Sequence, residues 1–127
     1  MLSNPLSRDA ILNLVKGGEA SPPLLDGFLS LEQQLQPNGF DLTLGDLSHI
    51  TTPGTLGTAD GDRTLSSAES IKTDSGGWLG LAPGAYLATF NEIVHLPSDI
   101  MALGRPRSSL LRSAVSVHSA VWDAGYR

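Results

Sequence analysis

The sequence predicts a mostly β fold, a sandwich, barrel or jelly roll behind one short N-terminal helix. Three observations carry this. After position 78, short apolar runs recur at intervals of roughly eight to twelve residues with turn dipeptides between them. Around Phe40–Leu44 apolar and polar residues alternate with the period of a strand. The 127 residues include 14 Gly and 8 Pro, and they show neither an internal repeat nor strand–helix alternation. The length suits one domain, since domains run at about 100–150 residues.

The helix is expected first. Ser7 is a good N-cap, Asp9 complements the helix dipole, and Ile11, Leu14 and Val15 share one face before Gly17-Gly18 ends the run. Residues 19–38, with Pro22-Pro23, read as an irregular linker with room for a helical turn. Phe40, Leu42 and Leu44 then form a half-buried strand, with Asp41 and Thr43 on its other face, and a short strand follows at Leu47–Thr51. Residues 53–77 are rich in Gly, Thr, Ser and Asp and read as a long surface loop. Strand runs are expected at Trp78–Leu81, Tyr86–Phe90, Ile93–Leu96 and Ile100–Leu103. A helical turn or two follows at Arg107–Ser113, capped by Ser108 or Ser109, with short strands at Val115–Val117 and Ala120–Trp122. Trp78 and Phe90 read as core, and His49 and His95 as structural.

Composition excludes several classes. No apolar run reaches the roughly 18–20 residues needed to span a bilayer, so no membrane partner is expected. The N-terminus lacks the basic start and apolar stretch of a signal peptide. Zero Cys removes disulfide scaffolds and thiolate metal sites and agrees with a cytoplasmic address. A net charge of −5 argues against a general nucleic-acid binder. The charge is uneven: residues 1–100 hold four basic against twelve acidic groups, whereas residues 101–127 hold four Arg and one Asp. Arg grips phosphate or carboxylate with a planar fork, so this end suggests a localised anion site; interface ion pairs are the plainer alternative.

Three segments could carry chemistry. Arg105-Pro106-Arg107-Ser108-Ser109-Leu110-Leu111-Arg112 gathers guanidinium groups, hydroxyls and a helix start, which fits a phosphate cradle or an ordinary capped helix. In Val121-Trp122-Asp123-Ala124-Gly125-Tyr126-Arg127, Asp123 is a turn former, a general base or a ligand to a metal-bound water, and Tyr126 is core or a stacking surface. In Gly39-Phe40-Asp41-Leu42-Thr43-Leu44, Asp41 alone reads as a surface residue.

In this order the three segments resemble the motifs of the dUTPase superfamily, which includes trimeric dUTP diphosphatases and the related dCTP deaminases. Gly39–Leu44 is similar to the family's first motif, Pro106-Arg107-Ser108-Ser109-Leu110 to its second, and Val121–Arg127 to its third. Pro83-Gly84 and Asn91–Pro97 are similar to the strand pair before the second motif, so the resemblance covers about residues 36–127.

The resemblance implies a distorted β-barrel or jelly-roll protomer of the dUTPase-like, β-clip type. Residues 1–35 would form the helix and linker and residues 36–127 the β core of a single domain, in a homotrimer with shared active sites. It implies dUTP or dCTP as substrate and Mg²⁺ as cofactor. Asp41 would hold Mg²⁺ through water; Arg107, Ser108, Ser109 and Arg112 would bind phosphate. Asp123 would activate the water that attacks the α-phosphorus. Tyr126 would pack on the deoxyribose, and Val117, His118 and Ser119 would read the pyrimidine.

Pro106 and the Ala124-Gly125-Tyr126-Arg127 ending look like the diphosphatase, whereas Ser108-Ser109 and Arg112 look more like the deaminase. Trp122 replaces a small aliphatic residue of both. The family continues beyond the equivalent of Arg127 into the deaminase's catalytic Glu and the diphosphatase's Gln-containing motif and Gly-rich arm. The resemblance therefore implies a β core incomplete at its C-terminus, with weak or no turnover by these residues alone.

Overall fold

A computed structural model describes residues 4–18 and 22–127 of the chain. They are mostly extended, with one helix of nine residues near the N-terminus and short strands in three small sheets that do not close into a barrel. The chain divides into two compact units, Met1–Asp41 with Glu92–Arg127, and Leu42–Asn91.

The first unit holds the buried apolar side chains. Helix α1 (Arg8–Lys16) is capped as its sequence predicts: the Ser7 hydroxyl accepts from the Ala10 N–H, and the Gly17 N–H closes the end on the Leu14 carbonyl. Ile11 and Val15 are buried and Leu14 is half-buried, as the expected face requires. Leu24 donates to the Leu14 carbonyl and leads into β1 (Leu25–Asp26). That strand pairs antiparallel with β7 (Ile93–Val94), Leu25 opposite Val94. Leu24, Leu25, Leu35 and Leu96 are the other buried apolar residues among those described.

The expected linker is organised rather than irregular over its described part; residues 19–21 of it lie outside the described residues. Helix α2 (Leu31–Gln34), with Ser30 as N-cap, runs into β2 (Leu35–Gln36), which pairs with β3 (Gly39–Phe40). Arg8 of α1 donates to the Leu35 carbonyl and ties the helix to this hairpin.

The second unit is a three-stranded sheet ordered β5 (Ala68–Ser70), β4 (Leu44–Ile50), β6 (Tyr86–Phe90). Tyr86–Phe90 matches its predicted run. The predicted strand through Phe40–Leu44 does not form as one piece, because the main chain of Asp41 is hydrogen-bonded to Gln34 instead of to a neighbouring strand. Leu44 instead opens β4, whose register against β6 slips between Leu44 and Asp46. Gly45 lies in that bulge: a Cβ there would stand 2.9 Å from the Asn91 side-chain oxygen and 3.1 Å from the Phe90 carbonyl carbon. The Asn91 amide fills the bulge by donating to Thr43 Oγ1 and the Leu44 carbonyl.

The predicted loop 53–77 is exposed almost throughout but carries β5, a 3₁₀ turn at Asp60–Asp62 and a bridge between Thr55 and Thr64. No strand forms at Trp78–Leu81. Asp74 Oδ1 accepts from the N–H groups of Gly76 and Trp78, a local turn that outcompetes extension and leaves Trp78 76% exposed rather than in the core. Phe90 is half-buried. The predicted strands at Ile100–Leu103 and Ala120–Trp122 reduce to one bridge, Ala102 with Trp122, and Val115–Val117 is irregular.

Asp46 accepts from Ser70 Oγ at 2.8 Å and Ser48 Oγ at 3.0 Å. The Ser70 bond first, then that of Ser48, lowers its carboxyl below the ordinary 3.8. A depressed carboxyl contributes stability that is complete above about pH 3.8 and is lost as pH falls through the lower folded value. Carboxyl NMR titration is expected to give a midpoint below 3.8 for Asp46 and to return it toward 3.8 in Ser70→Ala.

Candidate functional site

The first unit brings together two of the sequence-predicted site residues that lie far apart in the chain. Arg107 Nη1 donates to Asp41 Oδ2 at 2.6 Å across 66 positions of sequence. The same oxygen accepts from Gln36 Nε2 at 3.0 Å. The Asp41 side chain is 24% exposed and that of Arg107 69%. Such an exposed pair is worth about 0–1 kcal/mol, so it orients both groups without locking them together.

Behind Asp41 lies a polar cluster that the sequence reasoning passed over. Gln34 and Glu92 are buried, at 5% and 7% exposure. Gln34 Oε1 accepts from the N–H groups of Leu29 and Ser30, both at 2.8 Å. Its Nε2 donates to the Asp41 carbonyl at 2.8 Å and to Glu92 Oε1 at 2.7 Å. The run Gln33-Gln34-Leu35-Gln36 was the available signal, but no spacing rule separates a buried Gln from an exposed one.

Arg107 is the N-cap of helix α3 (Ser108–Arg112). Neither predicted serine caps it: both lie inside the helix, and the Arg107 side chain turns to Asp41. Ser108, Ser109 and Arg112 are exposed, which leaves their polar groups open to an anion. The helix ends in a Schellman arrangement, with the Ala114 N–H on the Leu111 carbonyl and the Val115 N–H on the Leu110 carbonyl. That geometry puts Ala114 at φ 58, a left-handed conformation in which its Cβ is crowded.

Asp123 opens a turn closed by the Tyr126 N–H on the Asp123 carbonyl, with Gly125 at φ 82, a value that favours Gly. The Gly125 N–H also donates to the Pro97 carbonyl, and the buried Leu96 donates to the Tyr126 carbonyl, so the turn is docked on the segment after β7. The Asp123 carboxylate is exposed and holds no partner among the described residues. The Tyr126 ring stacks on Trp122 with centroids 6.3 Å apart and planes at 22° and is exposed, so it is not core.

Val117 and His118 are exposed; Ser119 leans on the Gly104 carbonyl at 3.5 Å. A cavity of about 280 Å³ lies by the turn, between His95, Pro97, Ser98, Gly125 and Arg127. No hydrogen bond or ion pair among the described residues links Asp123 or Tyr126 to the Asp41–Arg107 pair. No described group of three or more His, Cys, Asp or Glu side chains is arranged to hold a metal ion, and no described helix is long and apolar enough to cross a membrane.

Replacing Ala114 by Gly removes the Cβ penalty at the end of α3. Ala114→Gly is expected to raise stability by about 0.5–1 kcal/mol in denaturant unfolding; a loss would contradict the assigned conformation.

The profile of a family described as dCTP deaminase-like matches residues 6–127. A probable deoxyuridine 5'-triphosphate nucleotidohydrolase of Methanococcoides burtonii is 40% identical over 121 residues, covering 95% of this chain and 69% of that protein. Proteins of the same name from Methanosarcina mazei (39% over 122 residues, 96% and 70%) and Archaeoglobus fulgidus (40% over 121 residues, 95% and 68%) are similar to it to the same degree. The chain thus spans a little over two thirds of these relatives' length. No solved structure matches.

Proposed function

The chain belongs to the dCTP deaminase-like family, and on that premise we propose that it is a dUTP nucleotidohydrolase, cleaving dUTP to dUMP and pyrophosphate. The names of its relatives support the substrate. The observation that carries the chemistry is the 2.6 Å contact of Asp41 with Arg107, which brings an oxyanion-binding fork beside a carboxylate suited to a hydrated cation.

A triphosphate needs its charge neutralised and a water held in line with the bond to be broken. Arg107, Ser108, Ser109 and Arg112 take phosphate oxygens. Asp41 is one oxygen-donor carboxylate, and no multidentate cage surrounds it among the described residues. That donor set fits Mg²⁺, which keeps several waters and shares itself between a carboxylate and substrate phosphates. When bound, Mg²⁺ supplies charge neutralisation on the triphosphate, and Asp41 holds its waters. Because the Asp41–Arg107 pair is exposed and weak, it would yield to a nucleotide at little cost, phosphate taking the guanidinium and leaving the Asp41 carboxylate free to hold the waters of Mg²⁺.

Asp123, an exposed carboxylate without a competing partner, accepts the proton of the water that attacks the α-phosphorus. Tyr126 packs against the deoxyribose, and Val117, His118 and Ser119 read the pyrimidine. No contact among the described residues links Asp123 to Asp41, and this favours a homotrimer with sites completed by a neighbouring copy. The exposed apolar side chains of Met101, Leu103, Leu111 and Val121 support such an assembly. The alternative reaction, deamination of dCTP, draws support from the family description and from Ser108-Ser109.

Product analysis tests the reading: pyrophosphate and dUMP from dUTP are expected, at the slow rate these residues alone sustain, and ammonia from dCTP with no pyrophosphate from dUTP would replace it by the deaminase. Asp123→Asn is expected to keep dUTP binding while lowering hydrolysis at least about 100-fold, the usual share of a general base. Arg107→Ala is expected to weaken dUTP binding about tenfold or more in calorimetry; unchanged affinity removes the phosphate assignment. Sedimentation at three times the chain mass is expected for the assembly.

A further inference from the structure

We propose that Gln34 is a positioning residue for Asp41, fixing through the main chain where that carboxylate stands, with Glu92 as its anchor. The inference rests on the reading of Asp41 as the carboxylate that faces hydrated Mg²⁺.

A side-chain amide offers two acceptor positions and two N–H donors. Gln34 uses all four, at 2.7–2.8 Å, and is 5% exposed. Its orientation is unambiguous, because the oxygen faces two N–H groups while the nitrogen faces a carbonyl and a carboxylate. Two of the contacts made by this one residue fall on the main chain of Asp41. The Asp41 N–H donates to the Gln34 carbonyl at 2.8 Å, and the Asp41 carbonyl accepts from the Gln34 amide at 2.8 Å.

Both polar groups of the Asp41 main chain are therefore held by one side chain and its own backbone, which sets the direction in which the Asp41 side chain leaves. Gln36 then steadies the carboxylate itself. Packing alone would select an apolar residue here, since a buried amide costs free energy unless every bond is made. The choice of Gln fits the positioning of a neighbour. Glu92 holds the amide from the far side at 2.7 Å and is itself buried. With all four positions of its amide engaged inside the protein, the Gln34 side chain has none left for a phosphate or a water, so its effect on the site runs through Asp41.

The test measures binding of a non-hydrolysable α,β-imido analogue of dUTP to the full chain, in EDTA and across a Mg²⁺ series. Gln34→Glu keeps the shape, but a carboxyl has at most one O–H to donate and cannot serve both Asp41 and Glu92. Gln34→Glu and Gln34→Met are expected to raise the Mg²⁺ concentration for half-saturation about tenfold, the usual effect of disturbing a group that orients a metal-facing ligand. Affinity in EDTA is expected to stay within about twofold, which a general loss of structure would not allow.

Should Gln34→Met fail to fold, the Glu92 pair carries the test. Glu92→Gln keeps an acceptor for the Gln34 amide and is expected to shift the Mg²⁺ requirement clearly less than Glu92→Leu, which removes it; an equal shift in the two overturns the anchor role. An unchanged Mg²⁺ dependence in folded Gln34 variants, or an equal fall in metal-free affinity, overturns the inference alone. Absence of Mg²⁺-dependent binding in the wild type overturns the functional reading and this inference with it.

Discussion

The amide of Gln34, buried and bonded at all four of its hydrogen-bonding positions, is the constraint on which the candidate site depends. A hydrogen bond of this kind contributes about 0.5–1.5 kcal/mol net when neutral and about 1.5–3 kcal/mol to a charged partner. The larger quantity is what its loss would leave behind: two N–H groups and a carbonyl without their partner, and a buried carboxylate that has lost one of its contacts. Desolvation makes such an arrangement all-or-none, so the turn at Leu29–Ser30, the hairpin of β2 and β3 and the start of the Asp41 segment are held in one geometry. Against this frame the Asp41–Arg107 pair is a light, exposed contact. Rigidity sits behind the carboxylate and exchangeability in front of it, a division that suits a site where a charged ligand must displace a resident ion pair.

The two units are organised by different forces. Every buried apolar residue among those described belongs to the first unit, gathered around α1, β1 and the segment after β7. The second unit has no buried residue among those described; short polar side chains do its local work. Asp46 gathers Ser48 and Ser70 across two strands, Asp74 closes the turn before Trp78, and Asn91 fills the bulge at Gly45. Exposed Leu87, Leu44 and Trp78 accompany this arrangement.

Legibility in the sequence followed the range of the interaction. The Ser7 cap, the Ile11–Val15 face and the Tyr86–Phe90 strand were readable because each rests on residues within a few positions of one another. Range was not the whole of it. At Trp78 the competition is itself local, Asp74 Oδ1 accepting from the Gly76 and Trp78 N–H groups, and apolar periodicity carries no record of it; helix α3 starts one residue too early for a Ser108 or Ser109 cap, with Arg107 at the cap position. Asp41 is the instructive middle case: its motif was visible, yet the strand drawn through it was not, because its backbone bonds go to Gln34.

By itself the sequence determined the mostly β class, the N-terminal helix and the three motifs that carry the family membership, since all of these are patterns of residue type and spacing. Only the tertiary structure decided that Arg107 meets Asp41 across 66 positions and that Gln34 meets Glu92 across 58. The physical reason is that a long-range polar contact depends on the register and burial of segments that no local propensity encodes, and a buried amide is worth keeping only once all of its partners have been brought to it.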